Sequence, residues 1–309
     1  MIEQFVIRYW LVGIISWVKR TFRHIGGIGA AGSTQEETVT DFPEIPNCDK
    51  PPLIVLTQHR LGGSGKSLIG QLFVDAAFRS GLDVGLYEND DQTFYDAYGK
   101  VCHIRMPATE VVVHEPRADV TAHGAFDRAV LAAGSNSCLL YDCSAASLNR
   151  HTYVFDELDY ALRLHAAGRY CLVLIPVSAR PDIARESLVA YEVWRDLLPH
   201  PNRIVPVINQ RDGNVHDLPA GHDVHTLVRQ ASDGVFVIPR TTMAVINDWR
   251  RSGMRLCDLA DTRDILGTAA MAEKIGQDPT IMQMMRRAAG RLLTETDPQM
   301  IRLGFLQGL

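Results

Sequence analysis

Seven consecutive residues, Leu61-Gly62-Gly63-Ser64-Gly65-Lys66-Ser67, combine a permissive backbone with one amine and two hydroxyls. Glycines let backbone N–H groups turn inward and come close to the oxygens of an anion. An amine here can reach the outer phosphates of a polyphosphate, and the following hydroxyl can ligate Mg²⁺. The stretch follows an apolar run, Leu53-Ile54-Val55-Leu56, and leads into an apolar-periodic segment from Leu68 to Ala77. Strand, glycine loop and helix in that order form the setting of a phosphate-binding loop. The helix start adds the positive end of its dipole. The expected cradle is therefore Gly62, Gly63, Ser64, Gly65, Lys66, Ser67 and Leu68. The commoner Gly-x-x-x-x-Gly-Lys-[Ser/Thr] spacing would need a glycine where Arg60 stands. The variant Lys-Gly-Gly-x-Gly-Lys-[Ser/Thr] fits, with Leu61 in the place of its first lysine. The competing reading is a glycine-rich turn before an ordinary helix.

Other chemistry-bearing residues follow apolar runs. Tyr87-Glu88-Asn89-Asp90-Asp91-Gln92 gathers three carboxylates and two amides. Carboxylates there can organise the waters of Mg²⁺ or orient an attacking water; a solvated acidic turn is the alternative. Asp142 ends the run Cys138-Leu139-Leu140-Tyr141, as an acid holding Mg²⁺ through water would, or as a turn cap would. Asn209, before Gln210-Arg211-Asp212-Gly213, carries a donor and an acceptor that suit an adenine edge, although for this residue taken alone turn chemistry is the better account. The histidines have no ligand spacing, and the six cysteines form no C-x-x-C pair, so neither a zinc site nor a redox motif is indicated.

These residues need a sheet to hold them. Apolar runs at 53–57, 84–87, 101–106, 138–141, 170–177, 203–208 and 235–238 read as strands covered on both faces. Helical periodicity falls at 66–79, 122–133, 153–167, 181–198 and 223–230, then at 243–252, 262–275 and 280–295. The alternation predicts a doubly wound, mostly parallel α/β sheet flanked by helices, with a helical C-terminal extension from about residue 242. In such a sheet, ligands lie beyond the carboxyl ends of the strands.

The expected organisation is an N-terminal hydrophobic helix at 1–24, a flexible linker at 25–50 and one domain at 51–309. The first segment carries Trp10 and Trp17 and is followed by Lys19, Arg20, Arg23 and His24. It is shorter than the roughly 20 apolar residues a spanning helix needs. It reads either as an interfacial helix on anionic lipid or as a helix docked on the protein's own body or a second copy. The formal net charge of −5 argues against a surface wholly devoted to nucleic acid. Local clusters, Arg250/Arg251/Arg255 and Arg286/Arg287/Arg291, remain candidates for nonspecific contact with DNA phosphates or for a solvated helix face.

Taken together, the motifs resemble the ParA/MinD family of deviant-Walker P-loop ATPases. The loop matches its Gly-Gly-x-Gly-Lys-[Ser/Thr]; Glu88-Asn89-Asp90-Asp91-Gln92 is similar to its Asp-x-Asp-x-Gln; Asp142 matches the acid of its Asp-x-Pro-Pro switch. Val207-Ile208-Asn209-Gln210 and Val237-Ile238-Pro239-Arg240 resemble its adenine-contacting strand end and late Ile-Pro turn. The resemblance runs in order from about Leu53 to Leu259. It implies ATP·Mg²⁺ binding, an ATP-dependent homodimer, slow hydrolysis stimulated by an activating or cargo partner, and a cytoplasmic location, peripheral at the inner membrane face if residues 1–24 meet lipid. By position, Lys66 would stabilise phosphoryl charge, Ser67 and Asp142 would hold Mg²⁺, Asp90 would orient the lytic water and Glu88 would support the switch. The expected work is partition of DNA or plasmids, conjugation or cargo positioning. Two departures stand out: Leu61 replaces the lysine that crosses to the partner's phosphates, with Arg60 beside it, and the proline pair after Asp142 is missing. A nucleotide-binding adaptor without efficient hydrolysis and a P-loop small-molecule kinase are the alternatives.

Overall fold

The computed structural model describes residues 42–306 apart from 90–93, 116, 241–246, 248, 251 and 262–264. The N-terminal segment 1–24, Asp90, Arg251 and most of the expected 243–252 helix therefore lie outside the described residues.

Seven strands form one parallel sheet: β1 Ile54–Thr57, β2 Asp83–Glu88, β3 Val101–His103, β4 Ser137–Asp142, β5 Cys171–Val177, β6 Arg203–Asn209 and β7 Phe236–Ile238, in spatial order β3-β2-β4-β1-β5-β6-β7. From β1 the chain moves out to β2 and β3, returns through β4, and continues on the other side of β1 through β5 to β7. The strand order thus reverses beside β1, where a ligand crevice opens at the strand tips. β1, β4 and β5 are buried along their whole length. This is why their sequences read as continuous rather than alternating apolar runs.

Helices cover both faces. On one lie α1 Lys66–Arg79 and, after β7, α9 Leu256–Asp261, α10 Ile265–Ile275 and α11 Pro279–Arg302. Leu72, Phe73, Met282, Met285, Leu292 and Phe305 build that core. The opposite side carries α2 Thr109–His114, α3 Ala118–Ala122, α4 Gly124–Ala132, α5 Leu148–Glu157, α6 Tyr160–Ala166, α7 Pro181–Leu197 and α8 Asp223–Gln230. Here Phe126, Phe155, Tyr160, Trp194 and Leu227 pack beneath the sheet.

Two expected helices differ in their surroundings or bounds. The 122–133 segment is α4, but two short helices that the pattern did not predict, α2 and α3, precede it, and α3 and α4 meet at the buried His123, whose Nδ1 lies 2.8 Å from the Asp119 carbonyl. The 153–167 segment begins earlier, at Leu148, and breaks at Asp159, which adopts the left-handed conformation (φ 49°) open to short polar side chains. The last helix runs past residue 295, through Pro298 to Arg302. Its extra turn serves the sheet: Gln299 both accepts from Val237 N (2.8 Å) and donates to Val237 O (2.9 Å), occupying the free edge of β7 as another strand would.

Residues 42–50, read from sequence as the end of a linker, pack against the body. Ile45 is buried, Val235 N donates to Pro43 O, Cys48 N donates to Arg302 O, and Arg203 reaches Pro46 O. A side chain at Gly234 would strike the backbone of Glu44 and Ile45.

Candidate functional site

The sheet's parallel register assembles the site. Thr57 pairs with Asp142, Asp142 with Glu88, and Glu88 with His103, so four polar residues form a row across the carboxyl tips of β1, β4, β2 and β3. Residues in register on parallel strands share a face. Val55, Leu140 and Leu86, two positions earlier on three of these strands, belong to the core beneath α1. The row therefore lies on the α1 side, where the glycine loop delivers Lys66 and Ser67. Thr57, Glu88 and Asp142 are each buried.

The loop owes its shape to two glycines with positive φ, Gly63 (70°) and Gly65 (104°), and Gly65 begins α1. No side chain caps this helix start, which leaves its first N–H groups pointing into the loop. Side chains at Gly62 or Gly63 would enter open space, whereas one at Gly65 would press on the Asn209 amide. The Ser64 hydroxyl is buried and makes no hydrogen bond to a protein partner among the described residues. Lys66 is also buried, and its Nζ donates to Leu61 O (3.3 Å), drawing the two ends of the loop together.

Asp142 is the centre of the row. Thr57 donates to its Oδ1 and the Tyr95 hydroxyl donates to its Oδ2 at 2.8 Å. Burial pushes its carboxyl above the usual range; hydrogen bonds from Thr57, Tyr95 and Ser67 and the charge of Lys66 oppose that. Burial and the neighbouring acid raise Tyr95 well above an ordinary phenol, so its hydroxyl keeps its proton and is the donor. The Glu88 carboxylate, next in the row, lies 3.2 Å from His103 Nδ1.

The neighbouring tips are tied in as well. Asn89 Oδ1 accepts from Ser144 N, just past Asp142, while its amide nitrogen lies 3.1 Å from His151 Nε2. An amide nitrogen can only donate, so His151 Nε2 is the acceptor and its proton sits on Nδ1, facing His123 Nε2 at 3.1 Å. Burial depresses both histidines, that of His151 strongly, keeping the pair neutral. At the other end, Asn209 Oδ1 accepts from Arg211 N and Arg211 reaches Gly63 O at 2.9 Å.

The structure brings Glu88, Asp142, Lys66, Ser67 and Asn209 to one end of the sheet; Asp90 lies outside the described residues. Arg60, the neighbour of Leu61, forms an ion pair with Glu186 on α7 (3.2 Å). Sequence reasoning passed over three residues. Thr57 was an unremarked polar end to an apolar run, and that ending is the signal. His59 accepts from Leu61 N (2.9 Å) through Nδ1, and its Nε2 faces Ile183 O (3.2 Å) and Ser187 Oγ (3.1 Å) on α7; burial lowers its basicity. Its only mark in sequence is its position two residues before the loop. Tyr95 carries no local signal at all.

No known family matches the chain, and no curated relative matches it. Solved structures do resemble it. The septum site-determining protein MinD from Pyrococcus horikoshii, complexed with Mg-ADP, has 14% identity and a TM-score of 0.42, over 79% of this chain and 95% of that one. A plasmid partition protein from Borrelia burgdorferi has 12% identity and a TM-score of 0.32, over 62% of this chain and 91% of that one. The cell division protein FtsY of Thermotoga maritima has 12% identity and a TM-score of 0.36, over 63% of this chain and 64% of that one. MinD, a partition protein and FtsY are thus among the solved structures similar to this chain.

Proposed function

We propose that the chain is a ParA/MinD-like P-loop protein that binds ATP·Mg²⁺ and switches between nucleotide states as a homodimer. One observation carries this reading: the row Thr57–Asp142–Glu88 shares a face with the helix that begins at Lys66. Carboxylates, a hydroxyl, an amine and uncapped helix amides at one crevice suit a triphosphate with its metal. The residues fit the group. The buried Ser64 hydroxyl has no protein partner among the described residues, and the face of Gly62 and Gly63 that a Cβ would fill is open. Loop amides and Lys66 would hold the phosphates, Ser67 and Asp142 the Mg²⁺ and its waters, and Asn209 the base. The bound metal would neutralise charge on the β- and γ-phosphates. Glu88 and Asp90 would serve hydrolysis.

A second reading, a nucleotide-binding adaptor that turns over poorly, draws on Leu61 and on Arg60, which is held by Glu186 rather than free to reach a partner's phosphates. Single-turnover hydrolysis with and without a stimulating partner separates the two. The cargo-positioning role, a cytoplasmic site of action and contact with DNA or with a membrane through residues 1–24 belong to the same proposal. Among the described residues, no helix is long and apolar enough to cross a membrane.

The primary test is titration with fluorescently labelled ATP and ADP, with Mg²⁺ and with EDTA. Micromolar, Mg²⁺-dependent binding that Lys66→Ala removes is the expected result. Absence of nucleotide binding by the wild-type chain overturns the reading.

A further inference from the structure

The segment after the β2 tip returns to α1 and is fastened to it at three places. Tyr98 OH donates to Asp75 Oδ1 (3.1 Å), the Gln71 amide donates to Phe94 O, and the hydroxyl end of Tyr95 lies against Gly70. Arg250 closes over the outside, with its guanidinium 4.6 Å from the Phe94 ring centre and its Nε 3.4 Å from Gln71 Oε1. Gly70 is what lets the segment come so close. A Cβ there would lie far inside van der Waals contact distance of the Tyr95 hydroxyl oxygen. The fastening drives a fully buried tyrosine across the helix until its hydroxyl meets Asp142.

We infer that Tyr95 is the positioning residue of the metal-binding acid, fixing by its hydroxyl which lone pairs of Asp142 remain for Mg²⁺ and its waters. The inference rests on the nucleotide reading above and deepens it. Thr57 occupies one carboxylate oxygen and Tyr95 the other, so the carboxylate cannot rotate without losing a hydrogen bond. Groups that orient a metal's ligands in this way are worth about 10- to 100-fold in metal affinity. The arrangement also joins the acid to α1, because Phe94, next to Tyr95, is held by Gln71 and Arg250.

The test is Mg²⁺ titration of the full-length chain holding fluorescently labelled ADP, read as the Mg²⁺ concentration that gives half the maximal signal. Tyr95→Phe removes only the hydroxyl. It is expected to raise that midpoint roughly tenfold while leaving affinity for the label in EDTA unchanged. Gly70→Ala, which displaces the hydroxyl instead of removing it, is expected to move the midpoint the same way. The double variant is expected to move it no further than Tyr95→Phe alone. A lowered melting temperature with an unmoved midpoint in both single variants would mean that Tyr95 only packs, and overturns the inference. Additive effects in the double variant overturn it too. A wild-type chain that binds no labelled nucleotide sinks the nucleotide reading itself; wild-type binding with unmoved variants sinks only the role of Tyr95.

Discussion

The two sides of the crevice are built differently. On the β4–β2 side the polar groups are buried and held by elements distant in sequence: Thr57 from β1 and Tyr95 from beyond β2 converge on Asp142, and Asn89 crosses to Ser144. At the β6 tip, the contacts are mostly with immediate neighbours. Asn209 accepts from Arg211 N, and Arg211 pairs with Asp212. The first side is a product of tertiary structure, in which each group's desolvation is met by a partner from elsewhere. The second is turn chemistry that a short peptide could reproduce. Metal and phosphate chemistry needs rigidly aimed groups, and the buried side supplies them. Base contact tolerates a self-contained turn.

The sharpest way to break this comparison is at the row itself. Asp142→Ala and Lys66→Ala should each weaken Mg²⁺-dependent nucleotide binding by on the order of 100-fold in the titration above. Retained binding in Asp142→Ala would remove the reason for treating the two sides as unequal. Asp90→Ala should spare binding and stop hydrolysis; persistent single-turnover cleavage would show that another group directs the water.

Acid should act on the buried side next. His59, His123 and His151 are all depressed by burial below the ordinary value of 6.5. The unfolded chain therefore takes up protons first on acidification. Stability is complete above about pH 6.5 and declines below it, each histidine contributing up to about 1.4 kcal/mol per pH unit until its folded-state value is reached. Urea melts between pH 7.5 and 5 measure this, and His151→Asn should flatten the slope. A pH-independent midpoint would contradict the neutral histidine pair.

Removing His59 should cost less. His59→Ala takes the acceptor from Leu61 N and is expected to lower stability by about 1–2 kcal/mol in urea denaturation. The smallest effect should come from the other side of the crevice. Asn209→Ala loses one short-range turn bond, about 1 kcal/mol or less, and should alter the preference for adenine over guanine more than total affinity. A larger stability loss there than at His59 would reverse the contrast.

The same contrast governs how much could be read from sequence. The sheet was legible because strands buried on both faces leave long apolar runs, and the loop because its glycines and Lys66 are contiguous. Helix α8 matched its expected range, 223–230, since its apolar positions face one side only. Asp142 and Glu88 were legible as acids at strand tips. That they stand in one row with Thr57 was not, because register is a relation between strands. Tyr95 was invisible for the same reason: its partner lies 47 residues away in the chain. The division of the 153–167 segment depends on one left-handed residue, Asp159, and many aspartates in helical patterns do not adopt that conformation.

His59 has a mechanical corollary. By bonding Leu61 on one side and the first turns of α7 on the other, it ties a 17-residue helix to the glycine loop. Arg60 and Glu186 add a second rivet to the same helix. The glycine loop and α7 are thereby tied to each other directly, without the sheet as intermediary.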